Sequence, residues 1–229
     1  MWVWRALALP SRLRVVSHLS HERSEAEATA FLAKFKARTD GWAPFFTSDQ
    51  LPAYVAALIA NYSTPAPLPR KGGPGRPRKE PPRVVDPHLY YAQVDKRREG
   101  GRVVEVKRHI LFGAEPELIQ IVATDGCGSQ INTSYVERDN LTSRHSNGRL
   151  VRKTLSHSKK RHYLRRHLDL EDAIYNFARP HSALRVKLRN PAAHGRRWQP
   201  RTPAMAAGLT DHIWSLEELL SYCLLPPSA

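Results

Sequence analysis

Thr133-Ser134-Tyr135-Val136-Glu137-Arg138-Asp139-Asn140-Leu141-Thr142-Ser143-Arg144 is the stretch on which the reading of this chain turns. Glu137, Asn140 and Arg144 lie three and seven positions apart, so a helix carries them on one stripe. A carboxylate, an amide and a cation then face the same way. A lone glutamate in a polar helix is more often a solvated surface charge, and the stripe gains weight only from what surrounds it.

Upstream, Trp2 to Leu9 and Leu13 to Leu19 are two apolar runs joined by Pro10-Ser11-Arg12, which predicts two strands around a turn. Ser24 followed by Glu27 is a capping-box signature, and Ala28, Phe31, Leu32 and Phe35 repeat at helical spacing up to Lys36. Phe45-Phe46-Thr47 reads as a short buried strand ending at Asp49. Leu51 to Tyr62 reads as a helix with Pro52 in its first turn. Residues Thr64 to Arg83 hold seven prolines and three glycines among many cations and leave little to bury, as in a linker or extended arm. Leu89 to Val94 and Arg102 to Val106, separated by a charged segment ending in Gly100-Gly101, predict a hairpin. The loop Asp125 to Ser129 then leads into the Glu137 helix. A further helix is expected from Ser158 to Phe177 with Tyr163, His167, Leu170, Ile174 and Phe177 as its apolar stripe, ended by Pro180. Ser215 to Cys223 closes the chain as a helix.

The domain plan is therefore 1–62, the first part of a core; 63–83, a Pro/Arg-rich linker; 84–184, the rest of the core with the Glu137 helix; and 185–229, a basic extension. Lys and Arg number 36 against 21 Asp and Glu, giving a formal charge of +15. Such a chain holds a phosphate backbone largely by counterion release, a profile that RNA-binding proteins share with DNA-binding ones. The hydrophobic content of 41% supports one real core and excludes disorder throughout. Two cysteines, Cys127 and Cys223, make neither a disulfide framework nor a four-ligand zinc site. The opening apolar run is too short to span a membrane and lacks the zones of a signal peptide, which predicts a soluble, cytoplasmic, nucleoid-associated protein without a membrane partner.

The residues around Glu137 match, as Thr133, Ser134, Val136, Glu137, Arg138, Asn140, Leu141, Thr142 and Arg144, the block that carries the third metal-binding carboxylate of insertion-sequence DDE transposases, relatives of retroviral integrases. Further stretches resemble that family in order: Arg152 to Lys159, Tyr175 to Leu184, and Thr202 to Thr210. The resemblance implies an α/β fold, an RNase H-like mixed sheet flanked by helices, with a basic Pro-rich insertion and a helical basic tail. It also implies transposition by Mg²⁺- or Mn²⁺-dependent hydrolysis and strand transfer, acting on transposon ends and target DNA, with a possible homo-oligomer. Two ions about 3.5–4 Å apart would stabilise both attacking and leaving oxygens in an intact enzyme. Asp49 would be the second catalytic, metal-binding carboxylate and Glu137 the third. Arg144 matches a basic position aimed at the DNA end, and Asn140 shares its stripe.

In the family's fold the first aspartate sits on the first strand, and Trp2 to Leu9 reads as the second. No Asp precedes Asp40, which follows a helix in a polar turn. The expectation is a chain lacking its first strand and inactive alone, through a late start codon or decay of the element. The alternative is a noncatalytic DNA-binding remnant or regulator of transposition. Gly75-Arg76-Pro77-Arg78-Lys79 resembles an AT-hook core, whose Arg76 and Arg78 would enter an A·T-rich minor groove, and a solvated linker is an equal alternative. Lys159, Lys160 and Arg161 load one helix start with cations, either as a DNA-facing surface or as a solvated face. Trp198 is open to either base stacking or core packing.

Overall fold

The structure is a computed structural model, and it describes residues 1–66, 81–124, 128, 130–151, 153–188, 195 and 197–222. The linker arginines Arg76 and Arg78, Cys127, Cys223 and most of the 125–129 loop lie outside the described residues. The protein is mixed α/β, and no described helix is long and apolar enough to cross a membrane. Its contacts divide it into two units, one of Met1–Trp4 with His18–Ser134, the other of Arg5–Ser17 with Tyr135–Ala229. Strands β1 (Trp2–Ala8) and β2 (Leu13–Ser20) form a two-stranded hairpin whose residues are shared out between the units.

In the first unit, helix α1 (Glu25–Lys36) starts where the sequence predicts, with the Ser24 hydroxyl accepting from the Glu27 amide. Ala28, Phe31, Leu32 and Phe35 are its buried face, and each large apolar side chain so placed contributes roughly 1.5–3 kcal/mol over an exposed one. His18 of β2 clamps the helix from the side, reaching Glu27 at 2.6 Å and Lys34 at 2.8 Å. Strand β3 (Phe45–Ser48) and helix α2 (Ala53–Asn61) follow, the latter preceded by Pro52 as its cap. Phe46 lies 5.4 Å from Phe35 and 5.6 Å from Tyr62, while Trp4 lies 6.0 Å from Phe31 and 5.7 Å from Tyr54. Aromatic rings at these separations prefer tilted or edge-on packing, as seen here.

Strands β4 (Ser63–Pro65) and β5 (Arg83–Val85) pair antiparallel, with Ser63 opposite Val85 and Pro65 opposite Arg83. The described residues on either side of the Pro/Arg-rich segment therefore lie on adjoining strands of the same unit. Strands β6 (Tyr90–Glu99) and β7 (Arg102–Phe112) make a longer hairpin than the apolar residues predict. Opposite charges sustain its outer half, Asp95 facing Lys107 and Arg97 facing Glu105. Gly100 and Gly101 both have positive φ, which a two-residue turn of this hand requires. β3 joins the other edge of β6 in parallel, Phe46 opposite Tyr91 and Ser48 opposite Gln93, so the sheet order is β3-β6-β7. Helix α3 (Glu115–Thr124) packs Leu118 and Val122 against Ala92, Val94 and Ile131. Its short apolar run fits strand or helix equally, and the sequence reading leaves it unassigned.

The second unit contains helix α4 (Ser134–Ser146), helix α5 (Arg161–Ala173) continued by a π-helical turn (Ile174–Ala178), the short strands β8 (Val186–Lys187) and β9 (Trp198–Gln199), and helices α6 (Pro203–Ala206) and α7 (Leu216–Ser221). The expected α5 stripe is corrected. Leu164, Leu168 and Tyr175 are buried, whereas Tyr163 is 52% and Leu170 42% exposed. The helix rotates to the neighbouring face because that face also presents Glu171 and Asp172 to two buried arginines, and the wide π turn re-aims Tyr175 and Asn176 inward. Trp214 packs 4.7 Å from Phe177 and 5.0 Å from Tyr222.

Arg5 and Arg14 are the centre of this unit, their side chains only 2% and 1% exposed. Arg14 donates to Asp139 at 2.9 Å through Nε, to Glu171 at 2.9 Å, to Asp172 at 3.2 Å and to Ser143 at 2.9 Å. Its guanidinium carbon sits 3.9 Å from the Tyr175 ring centroid, a desolvated cation–π contact. Arg5 donates to Asp139 at 3.2 Å, to Ser17 at 3.0 Å, to Asp172 at 3.4 Å and to Ser143. The Asn176 side chain accepts from the Arg14 amide and donates to its carbonyl, each at 3.0 Å, standing in for a strand partner.

Removing one member of such a buried set strands the remaining charges, a loss of about 3–5 kcal/mol. Arg14→Met is expected to destabilise the second unit by about that amount, read from the urea midpoint of its transition. A loss below about 1 kcal/mol would show that hydrophobic packing alone holds these elements.

Candidate nucleic-acid interface

Helix α4 has almost no apolar buried face. Asp139 and Ser143, with Asn147 just beyond its end, are buried at 3%, 2% and 0% exposure, and the i, i+4, i+8 spacing makes them one stripe. That stripe is charged and hydroxylic because it faces Arg5, Arg14 and Glu171. The Asn147 amide donates to Glu171 at 3.1 Å, while its oxygen caps the following 3₁₀ turn by accepting from the Arg149 amide. Burial works against ionisation of Glu171, but bonds from Ser143, Arg5, Asn147 and Arg14 outweigh it and hold its carboxyl below the usual range. Burial wins at Asp172, whose carboxyl is pushed up despite Arg5, Ser17 and Arg14.

With Asp139 and Ser143 turned inward, the second stripe of α4 is offered to solvent: Glu137 and Arg144 are exposed and Asn140 is half-buried. The three predicted residues thus share one helix, its orientation fixed by residues that the sequence reading did not single out. Acidic Glu137 lies in the first turn, and Arg144 in the last, as the helix dipole favours.

Asp49 belongs to the first unit and Glu137 to the second. Asp49 follows β3 at the carboxyl end of the parallel β3–β6 pair, where ligands of parallel sheets gather. Its carboxylate is exposed and paired with Arg23 at 3.6 Å, and Arg23 also lies over Trp2 at 5.0 Å. Beside it, Ser48 shares a 2.7 Å hydrogen bond with the Tyr91 hydroxyl, which also accepts from Gln93 at 3.0 Å. Burial and Asp49 together push the Tyr54 hydroxyl far above its ordinary range. Among the described residues no three His, Cys, Asp or Glu side chains form a metal-holding group. Mg²⁺ wants several hard oxygen ligands, and the Asp49 carboxylate is already engaged by Arg23.

Lys159, Lys160 and Arg161 are exposed at the start of α5. Cations there oppose the helix dipole. A second basic cluster surrounds His181. Burial, then Arg12 and Arg179, lower the His181 pKa, and Arg138 adds to the effect. Its Nδ1 is buried without a hydrogen-bond partner, a cost of about 1–3 kcal/mol. Arg12 stacks 5.0 Å over the Tyr135 ring, and Tyr175 meets the His181 ring edge-on at 6.5 Å. Trp198, left open between core and ligand by the sequence, is 41% exposed with Arg185 4.5 Å from its ring centroid. Arg179-Pro180-His181 was visible as a family-like stretch; its convergence with Arg12 and Arg138 was not, because those cations come from distant segments.

Compared with known proteins, the chain matches no family model, no curated protein and no solved structure.

His181 is held neutral in the fold, so its contribution to stability is present above the unfolded-state pKa of about 6.5 and is lost as pH falls through the lower folded value. Glu171, whose folded pKa is lowered, contributes above about 4.3 and loses that contribution as pH falls further. In chemical denaturation from pH 7 to 3, His181→Gln is expected to flatten the loss that begins near pH 6.5, and Glu171→Gln the loss that begins near pH 4. Parallel profiles for wild type and both variants would overturn these assignments.

Proposed function

We propose that this chain is a DNA-binding protein of the insertion-sequence DDE transposase type, built on an RNase H-like core, that engages transposon ends and target DNA. The observation that carries the reading is the division of α4 into two polar stripes, one buried on Arg5 and Arg14, the other presenting Glu137, Asn140 and Arg144. A helix that spends its inward face on ion pairs leaves its metal-seeking and phosphate-seeking groups outward, as a polynucleotidyl transferase needs. The parallel β3–β6 pair with Asp49 at its carboxyl end supports the core assignment. The charge of +15 supports the partner.

Arg144, with Lys159, Lys160 and Arg161, would grip the phosphate backbone, and Asn140 would donate to the same strand. Glu137 and Asp49 are the carboxylates that Mg²⁺ or Mn²⁺ would use. Because the described residues gather no third acid with either of them, no catalytic step is assigned to this chain alone. The same observation favours a second reading, a noncatalytic DNA-binding regulator of transposition.

Duplex binding, measured by anisotropy between 50 and 200 mM salt, is expected to weaken steeply, with log K falling about 0.9 per phosphate contact. Arg144→Ala should lower affinity and reduce that slope by about 1. Glu137→Gln should leave affinity intact or raise it slightly by removing a repulsive charge. Salt-independent binding would sink the DNA reading, and Mg²⁺-dependent strand transfer by the unaltered chain would replace the regulator with an active enzyme.

A further inference from the structure

Between the end of α5 and the β8–β9 hairpin, Pro180, His181, Ser182, Arg185, Trp198 and Pro200 line an open cleft of about 170 Å³. We infer that this cleft seats one unpaired nucleotide of a single-stranded DNA segment, its base on Trp198 and its phosphates on the surrounding arginines.

Size and shape narrow the occupant first. The volume lies below the roughly 300–1,000 Å³ of pockets that enclose a whole small molecule. An open cleft of this size suits one flat ring of a longer polymer. Its walls supply a platform: Trp198 keeps 41% of its surface exposed on a strand only two residues long, where no core requires an indole. The Arg185 guanidinium lies over one face of the ring, 4.5 Å from its centroid, so the base would take the other face and the arginine would meet an adjoining phosphate.

Charge then selects the polymer. Among the described residues no acid lines the cleft. Arg12, Arg179 and Arg138 act electrostatically on His181 against the single acid Asp139, and exposed Lys187 and Arg197 extend the positive surface along the hairpin. A positive track with an exposed aromatic platform is the general design for single-stranded nucleic acid, because every base offers a π-face while only an unstacked one can lie on the ring. A duplex has no free face to offer. Backbone bonds fix the platform's position: His181 donates its amide to the Arg201 carbonyl at 2.9 Å, Leu188 donates to Arg197 at 3.1 Å, and Lys187 stands opposite Trp198 in the ladder.

The inference rests on the DNA-binding reading above and adds a strand preference to it. The test compares a dT oligonucleotide, its RNA counterpart and a duplex of equal length at one salt concentration. Trp198→Ala should weaken dT binding about 5- to 150-fold, the range for one lost base–aromatic stack, and change duplex binding less than about 2-fold. Trp198→Phe should recover most of the loss, with circular dichroism reporting the fold of each variant. In the unaltered chain, irradiated 5-iodouracil oligonucleotide should crosslink within the Pro180–Pro200 region, which tests the cleft even if a variant fails to fold. Equal losses for dT and duplex, no loss on Trp198→Ala, tighter binding to RNA, or crosslinks confined elsewhere would overturn it. Duplex binding with an indifferent Trp198 would overturn this inference alone, whereas no binding to any DNA would also remove the proposed function.

Discussion

Arg14 is bound by three carboxylates, a hydroxyl, an aromatic face and the side-chain amide of Asn176, and β2, α4, α5 and the π-helical turn all meet in that convergence. Burial alone would discourage a charged guanidinium there, yet Asp139, Asp172 and Glu171 more than offset it and raise its pKa above the ordinary value. Two guanidinium groups meet three carboxylates, so the set retains an excess negative charge, and Asp172 is the member that burial penalises most visibly. Buried ion pairs of this kind are weak sources of net stability against a well-packed apolar alternative. What they impose is direction, because a carboxylate that must meet two guanidinium groups fixes its helix in rotation more tightly than a leucine would.

The first unit is held differently. Trp4, Phe31, Phe35, Phe46, Tyr54 and Tyr62 interlock around α1 and α2, and α3 closes an aliphatic cluster over β6. Polar contacts there fasten edges: His18 to α1, Ser48 to Tyr91, and Lys36 to the Asn61 carbonyl at 2.8 Å. Such a core carries the exposed Asp49 at a strand end, where the acid is paired with Arg23.

The functional surfaces follow from this contrast. In the second unit the inward stripe of α4 consumes its acid and hydroxyl on structure, which sets the angle at which the outward stripe is presented. Arg12, Arg179 and Arg138 act on His181 with Asp139 opposing them, and Trp198 stands on a short hairpin with Arg185 over its ring. In the proposed function, Arg144 and Arg161 would meet a polyanion from helices, so part of the ordering cost would already be met in folding.

Local rules made much of this chain legible before its structure. The Ser24 cap, the Ala28–Phe35 spacing, the β1–β2 turn, the Phe45–Ser48 strand and the Gly100-Gly101 hairpin each depend on neighbours within a few residues, and each lies where those neighbours put it. The α4 helix and its outward Glu137, Asn140 and Arg144 were legible for the same reason. The sequence by itself also determined the strong positive charge. Only the tertiary structure decided which face of α5 is buried, that Asp139, Ser143 and Asn147 turn inward, and that Trp198 joins Arg185 beside His181. The physical reason is separation: Arg14 and Asp139 are 125 residues apart, and a polar side chain is buried only when a distant partner of opposite charge arrives to replace its water.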